Sequence, residues 1–219
     1  MKVGTDGVLL GAWAPIDHQP YSVLDIGCGT GVIALQLAQR SGAEVIDALE
    51  IDPDAHAQCV DNFEASPWND RLFCYHAGLA EFVSEIDDQY DLIVSNPPYH
   101  EEDTVSDDMQ RATARSTASM PFDLLLFAVK NFLTPEGRFA VVLPFATEEH
   151  FLQLAESFEL YPEHICRVKG TDSSKIKRSL ICFVSKRTSP KVTDLVIETA
   201  RHQYTDAYTD LVRDFYLKM

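Results

Sequence analysis

The tetrapeptide Asn96-Pro97-Pro98-Tyr99 follows an apolar run and carries groups suited to alkylating a planar amine. An amine conjugated to a ring is a poor nucleophile because its lone pair is delocalised, so its N–H groups need acceptors before the nitrogen can become pyramidal. The Asn96 amide oxygen and the Pro97 carbonyl are such acceptors, and consecutive prolines pre-organise their backbone. The Tyr99 ring offers a stacking face. The alternative is an ordinary turn in which the prolines end a strand.

A second motif is an apolar strand that runs into a glycine-rich turn containing Gly27, Gly29 and Gly31 and then into a helical pattern. Glycines let the backbone approach a ligand closely, and a helix N-terminus presents unpaired N–H groups. Asp25 at the strand end would repel a phosphate but suits a ligand that carries an ammonium group beside a carboxylate. The methionine end of S-adenosylmethionine has both groups.

The next apolar run ends in Glu50, with Ile51 directly after it. A carboxylate at the end of the second strand, roughly 20 residues beyond the glycine turn, accepts the ribose hydroxyls in nucleotide-binding α/β folds. Asp25, the glycines and Glu50 therefore predict a site for S-adenosyl-L-methionine, with Asn96 facing it from the later motif.

Together these motifs resemble those of the class I S-adenosylmethionine-dependent methyltransferases, and more narrowly the amino-methyltransferases with an (N/D)PP(Y/F) motif. Three further stretches, residues 1–14, 111–115 and 214–217, resemble the bacterial tRNA1(Val) adenine-N6 methyltransferases. Members of that family modify the adenine just 3′ of the anticodon. The resemblance covers nearly the whole chain, and it implies a short aromatic and basic segment before the MKVGTDG-like opening.

The resemblance also assigns residues around the cofactor. It places the Thr5-Asp6-Gly7 end of the opening stretch near the cofactor, as a partial lid, and Thr5 or Asp6 can also cap a short helix there. Many relatives carry an aspartate where Gly78 stands in this chain, and that aspartate accepts a hydrogen bond from the cofactor adenine. Here the Leu79 backbone and apolar side chain could hold the adenine instead.

Length and composition predict a single domain spanning residues 1–219, which the resemblance makes a methyltransferase domain. The chain has 219 residues, 46% of them hydrophobic, and no Pro/Gly/Ser-rich linker divides it. Strands alternating with helices predict an α/β fold with one doubly wound, mostly parallel sheet, which the resemblance makes seven-stranded and Rossmann-like with a C-terminal antiparallel hairpin. The expected parts are an N-terminal lid and packing segment (1–20), a catalytic sheet core (21–186) and a C-terminal extension (187–219).

The sequence predicts a cytoplasmic protein, expected to be a monomer. No apolar run approaches the roughly 20 residues that a membrane span needs, and the N-terminus lacks a signal-peptide core. The five cysteines form an odd set without CxxC spacing, and the histidines show no metal spacing. We therefore expect no disulfide framework and no metal site.

The net charge of the chain argues against a nucleic-acid partner, whereas the local charge of one stretch favours such a partner. The 18 basic and 34 acidic residues give a net charge of −16, which repels RNA. Seven of the basic residues nevertheless fall in residues 167–187, here called the basic stretch, which is either a solvated hairpin loop or a phosphate-contacting surface. The candidate RNA-contacting residues are Arg111, Arg115, Lys169, Lys175, Lys177 and Arg178.

The motifs predict an S-adenosylmethionine-dependent amino-methyltransferase, and the resemblance implies a tRNA (adenine-N6)-methyltransferase whose target lies beside the anticodon of tRNA(Val). A target base must leave its stack to be methylated, which costs less in an anticodon loop than in a duplex. The alternatives are another RNA amino-methyltransferase acting on rRNA and a protein-glutamine N5 methyltransferase, which faces the same lone-pair problem and suits the acidic surface. The intact motifs argue against a non-catalytic scaffold, and the lack of a target-recognition domain argues against a DNA methyltransferase.

Overall fold

The computed structural model describes residues 4–98 and 120–217. The helices of this part are α1 Thr5–Trp13, α2 Val32–Arg40, α3 Pro53–Glu64, α4 Leu79–Glu85, α5 Phe122–Phe132, α6 Glu148–Ser157 and α7 Asp206–Val212. The strands are β1 Ser22–Ile26, β2 Val45–Glu50, β3 Leu72–His76, β4 Tyr90–Ser95, β5 Leu133–Pro144, β6 Tyr161–Thr171, β7 Ile176–Val184, β8 Lys191–Ala200 and β9 Gln203–Tyr204. Short 3₁₀ turns cover Phe145–Thr147 and Arg213–Phe215.

The strands form one sheet in the order β3-β2-β1-β4-β5-β7-β6-β8-β9. Strands β1 to β5 pair in parallel, whereas β7 runs antiparallel to both β5 and β6. The predicted doubly wound α/β sheet with its antiparallel hairpin is confirmed. The chain leaves β1 toward β2 on one side and returns as β4 on the other, so the topological switch point lies between β1 and β4.

Two hydrophobic cores cover the two faces of the sheet. Successive residues of β4 alternate between them, since Leu92 and Val94 lie in one core and Ile93 in the other. This period of two follows from the pleat of a strand that is buried on both faces. Helices α1, α2, α3 and α7 bury residues in the first core, and α4, α5 and α6 in the second.

The prediction of seven strands was wrong, because the C-terminal extension adds two more strands to those described. Strand β8 pairs in parallel with β6, and β9 returns antiparallel to β8. An uncovered β6 would expose a row of backbone N–H and C=O groups, and β8 satisfies them. Helix α7 then buries Tyr208 and Val212 in the core that it shares with α1.

A side-chain cap begins two of the described helices, α3 and α7. Asp52 caps α3 by accepting a hydrogen bond from the Ala55 N–H at 2.8 Å, and Pro53 occupies the first position of the helix. The expected cap of α1 was wrong: its N-cap is Gly4, and Thr5 and Asp6 lie within its first turn. Among the described residues, no helix combines the length and apolar character needed to cross a lipid bilayer.

Candidate active site

The two sequence motifs leave the sheet side by side at the switch point. Ile26 at the end of β1 pairs with Ser95 at the end of β4. The Ser95 hydroxyl also donates to the Ile26 carbonyl oxygen at 2.9 Å. The next residues of the two strands, Gly27 and Asn96, therefore begin their loops at adjacent positions on the carboxyl edge of the sheet.

The glycine-rich turn requires backbone conformations that favour glycine. Gly27, Gly29 and Gly31 have φ values of 73°, 58° and 80°, in the left-handed region that other residues rarely adopt. Space also excludes a side chain at Gly31, where a Cβ would lie 2.5 Å from a ring carbon of Phe63. The turn is hydrogen-bonded to β2, since the N–H groups of Gly27 and Cys28 both donate to the same carbonyl oxygen of that strand, at 3.0 and 2.9 Å.

Asp25 lies beneath this turn and is fully buried. Its Oδ2 accepts a hydrogen bond from the Ala34 N–H in the first turn of α2 at 3.1 Å. Gly31, which precedes α2, has no side chain that could cap the helix. The Asp25 carboxylate therefore takes the place of the N-cap side chain. Burial raises the pKa of Asp25 to about 7. Its second oxygen, Oδ1, has no hydrogen-bond partner among the described residues.

Glu50 ends β2 and faces the same edge, with its carboxylate oriented by two backbone groups. Its Oε2 accepts from the Gly29 N–H at 2.7 Å, and its Oε1 accepts from the Asp52 N–H at 2.8 Å. A carboxylate oxygen has more than one lone-pair direction, so both oxygens keep capacity for a further donor such as a ribose hydroxyl. The interaction also ties the glycine turn to the start of α3.

The predicted adenine side of the site lies around the next strand ends. His76, the last residue of β3, pairs with Glu50, so Gly78 follows two residues beyond that level. Gly78 is the N-cap of α4, and Leu79 is its first, buried residue. The Ile51 side chain is 61% exposed, and its Cδ1 lies 3.6 Å from where a Cβ of Gly78 would stand. This ordinary contact distance means that space does not explain the glycine.

A cavity of about 440 Å³ opens beside the glycine turn. It is lined by Gly4, Thr5, Asp6, Asn96, Pro97, Pro98 and Arg178. Helix α1 forms one wall, and a Cβ at Gly7 would lie 3.9 Å from Nδ2 of Asn96. Thr5 of the opening stretch and three residues of the NPPY motif thus line the same cavity. This is the arrangement expected if the opening stretch forms a lid over the site.

Two of the lining residues form an ion pair across the cavity wall. Arg178 Nε on β7 donates to Asp6 Oδ2 on α1 at 2.7 Å. The pairing of Asp6 with Arg178 was not predicted, because no sequence pattern links groups that are 172 residues apart. Arg178 pairs with Pro144 at the end of β5, which brings the basic stretch to the carboxyl edge.

The rest of the basic stretch is divided by its ion pairs. Five of its seven basic residues contact acids, including Lys169 with Asp194 at 3.5 Å and Arg178 with Asp6. Within the described ranges, Lys175 and Lys177 have no ion pair, and both are exposed. They flank the start of β7, and because β6 runs in the same direction as β5, this hairpin turn lies at the edge that carries Asn96.

Three predicted residues, Tyr99, Arg111 and Arg115, lie outside the described residues. Stacking by Tyr99 and RNA contacts by the two arginines therefore stay predictions from the sequence. The described part brings Asn96, Pro97, Pro98, Thr5 and Arg178 to one cavity. The second group, Asp25, the three glycines, Glu50, Ile51, Gly78 and Leu79, lies at the adjoining strand ends.

These residues fit the S-adenosylmethionine that the motifs imply. The glycine turn offers backbone at a helix N-terminus, and Glu50 holds its carboxylate at the sheet edge. Asp25 places an unpartnered carboxylate oxygen, Oδ1, beneath the turn. This donor and acceptor set matches a ligand that carries an ammonium group, a carboxylate and a ribose.

Comparison with known proteins finds methyltransferases, in agreement with the residues of the site. Residues 16–166 match the model of the methyltransferase small domain. The tRNA1(Val) (adenine(37)-N6)-methyltransferase of Flavobacterium johnsoniae is 59% identical, with 100% of this chain and 94% of the relative covered. The enzyme of the same name from Flavobacterium psychrophilum is 57% identical with the same coverage.

A solved structure supports the fold. The crystal structure of a predicted O-methyltransferase from Agrobacterium tumefaciens aligns with a TM-score of 0.75 at 16% identity, covering 95% of this chain and 96% of that one. At this identity the likeness concerns the fold alone. The sequence relatives cover the whole chain, including the NPPY motif and the cofactor strand. The chain therefore belongs to the tRNA1(Val) (adenine(37)-N6)-methyltransferase family.

Proposed function

We propose that this protein transfers a methyl group from S-adenosyl-L-methionine to the N6 amine of adenine 37 in tRNA1(Val). The observation that carries the proposal is the cavity in which Asn96, Pro97 and Pro98 adjoin the glycine turn on one side and Arg178 on the other. The relatives with 57–59% identity carry this activity in their names.

Residues at the carboxyl edge of β1, β2 and β3 would hold the cofactor. Glu50 would accept hydrogen bonds from the ribose hydroxyls, N–H groups at the start of α2 would face the carboxylate, and Asp25 would stabilise the ammonium group from beneath the glycine turn. Ile51 and Leu79 would enclose the adenine, and Gly78 would offer that ring no side-chain acceptor. S-adenosylmethionine supplies an electrophilic methyl group when bound.

The amine is prepared by the first residues of the NPPY motif. The Asn96 side-chain oxygen and the Pro97 carbonyl accept the two N6 hydrogens, which lets the nitrogen pyramidalise and direct its lone pair toward the cofactor. These acceptors act most strongly as the amine becomes cationic, so they favour the transition state over the ground state. Pro98 restricts the backbone of Pro97, and Tyr99 stacks on the adenine. No strong general base is needed, because the methylated cation loses its proton readily to water.

The tRNA reaches this cavity from the side of the β6–β7 turn. Lys175 and Lys177 contact phosphates of the anticodon stem and loop, and Arg178, Lys169, Arg111 and Arg115 extend this contact surface. The mainly acidic remainder of the protein repels RNA and so confines binding to this edge. We place the enzyme in the cytoplasm, as a monomeric single domain.

The test is methyl transfer to purified tRNA1(Val) with radiolabelled cofactor, using the wild-type chain and the Asn96→Ala variant. We expect Asn96→Ala to lower kcat by about 100-fold or more, as removal of a transition-state acceptor does, with cofactor Kd unchanged. Asn131→Ala is the matched control, because Asn131 lies on α5 and its amide donates to the Phe127 carbonyl oxygen.

Substrate variants locate the methylated atom. A tRNA1(Val) transcript with guanine in place of adenine 37 should accept no label, and rRNA fragments should accept little. Near-normal turnover by Asn96→Ala would contradict the mechanism. Label found in a protein fraction instead of the tRNA would favour the glutamine-methylating alternative.

A further inference from the structure

The fold assembles three cysteines behind the glycine turn. Cys28 lies in the turn, Cys59 on α3 and Cys74 on β3, and their sulfur atoms all lie within 4.8 Å of one another. The Cys28 sulfur is 3.6 Å from that of Cys59 and 3.9 Å from that of Cys74. All three cysteines are free thiols. The sequence spacing predicted no metal site because the three ligands come from separate elements.

The separations match those of thiolates around one metal ion. Metal–sulfur bonds of about 2.3 Å place the sulfurs of a tetrahedral or trigonal centre about 3.8 to 4.0 Å apart. A disulfide would instead require two of these sulfurs to approach to about 2.05 Å. The cluster therefore needs little rearrangement to bind an ion and a larger one to form a disulfide.

A fourth ligand lies one helical turn away. His56 precedes Cys59 by three residues on α3, so both side chains lie on the same face of the helix. Its Nε2 lies 3.2 Å from the carbonyl oxygen of Cys74, which places the ring beside the third cysteine. Rotation of this half-buried ring toward the sulfurs would complete a Cys₃His set, one of the common structural zinc sets.

Charge selects a divalent ion. Cys28 and Cys59 are buried, and the buried carboxyl group of Asp25 lies close enough to act on Cys28 electrostatically. Three thiolates with a monovalent ion would leave two negative charges in this apolar surrounding, whereas a divalent ion leaves one. Soft thiolate ligands exclude Mg²⁺ and Ca²⁺, which prefer oxygen.

We propose that Cys28, Cys59 and Cys74, with His56 as the fourth ligand, form a Zn²⁺ site that clamps the glycine turn to α3 and β3. A Cβ at Gly31 would lie 2.8 Å from the Cys59 sulfur, so the site is in direct contact with the turn. Zinc binding stabilises the turn conformation that the cofactor uses, and by linkage each ligand strengthens binding of the other.

The test uses the full chain, reduced and stripped of metal, titrated with Zn²⁺ and separately with Co²⁺. We expect one equivalent of each to bind, with Co²⁺ giving the thiolate charge-transfer and strong visible bands of a tetrahedral site. Zn²⁺ should raise the melting temperature of the wild-type protein by several degrees and lower the Kd for S-adenosylmethionine, and a chelator should reverse both effects.

Variants identify the ligands. Cys74→Ser should abolish the charge-transfer band and the thermal shift, and His56→Ala should weaken Zn²⁺ affinity about tenfold or more. Cys166→Ser is the matched control, since Cys166 is buried in the same core away from the cluster. Failure of the wild-type protein to bind Zn²⁺, or Co²⁺ spectra unchanged in Cys74→Ser, would overturn the proposal. The wild-type titration decides the question even if a cysteine variant folds poorly.

Discussion

Asp6 on α1 accepts a hydrogen bond from Arg178 on β7 at 2.7 Å, and the two residues line the cavity that also contains Asn96. Both side chains are partly exposed, so the pair contributes at most about 1 kcal/mol to stability. Its larger effect is electrostatic, because a carboxylate at the cavity opposes the phosphates of an RNA substrate.

Replacing Asp6 by asparagine should strengthen tRNA binding. The change removes one negative charge beside Arg178, and we expect the tRNA Kd to fall about threefold at low salt, with a steeper dependence of log K on salt. Filter binding over a range of salt concentrations measures both. Asp17→Asn is the matched control, because Asp17 also pairs with an arginine, Arg138, at 2.7 Å, but lies toward the opposite edge of the sheet. An equal gain in both variants would attribute the effect to net charge alone.

Reversing Lys175 and Lys177, the two members of the basic stretch that form no ion pair with the described residues, should weaken RNA binding specifically. The double variant Lys175→Glu/Lys177→Glu should lose about 100-fold or more in tRNA affinity at moderate salt and show a shallower salt dependence, because two phosphate contacts become repulsive. Calorimetry should show unchanged cofactor binding. The double variant Lys130→Glu/Lys191→Glu carries the same charge change away from the cavity and should keep most affinity. Equal losses in the two double variants would leave the β6–β7 turn without a specific role.

Asp25 should make stability depend on pH. Burial raises its pKa to about 7, so between about pH 4 and 7 the native state holds a proton that the unfolded state has released, and stability falls as pH rises through this window. The amide side chain introduced by Asp25→Asn is neutral at every pH. We therefore expect this substitution to gain stability relative to wild type by roughly 2 to 4 kcal/mol between pH 4 and pH 8.

Urea unfolding of both proteins across this pH range checks the prediction. The exposed Asp17→Asn variant corrects for the change in net charge. A difference in unfolding free energy that stays constant from pH 4 to pH 8 would show that Asp25 keeps an ordinary acidity in the folded protein.

Glu50 should contribute to cofactor affinity directly and through the turn. Glu50→Ala removes the acceptor for the Gly29 and Asp52 N–H groups as well as the proposed ribose contact, and we expect cofactor binding to weaken by about 1 to 3 kcal/mol. Glu50→Gln keeps one acceptor oxygen and should lose less. Calorimetry with S-adenosylmethionine measures the affinities, and the exposed Glu64→Ala on α3 is the control. Unchanged affinity in Glu50→Ala would remove Glu50 from the site.

The sequence by itself determined the chemistry of the strand ends. Apolar strands followed by Asp25, Glu50 and Asn96 predict side chains at the carboxyl edge of a parallel sheet, because a continuous apolar run indicates a strand buried on both faces and the polar residue at its end lies at that edge. The glycine turn could also be predicted from the sequence, because the left-handed conformations at Gly27, Gly29 and Gly31 depend on the residue type at each position. The family resemblance and the close relatives then agree on the methyl-transfer activity.

The tertiary structure alone decided the contacts between distant segments. The Asp6–Arg178 pair, the cluster of Cys28, Cys59 and Cys74, and the addition of β8 to the edge of β6 each join residues whose separation along the chain leaves no periodic signal. Ion pairing likewise separated Lys175 and Lys177 from the other basic residues of their stretch. Side-chain partners across a sheet depend on strand order and register, and long-range packing sets both. The residue types at one strand end depend only on the local sequence.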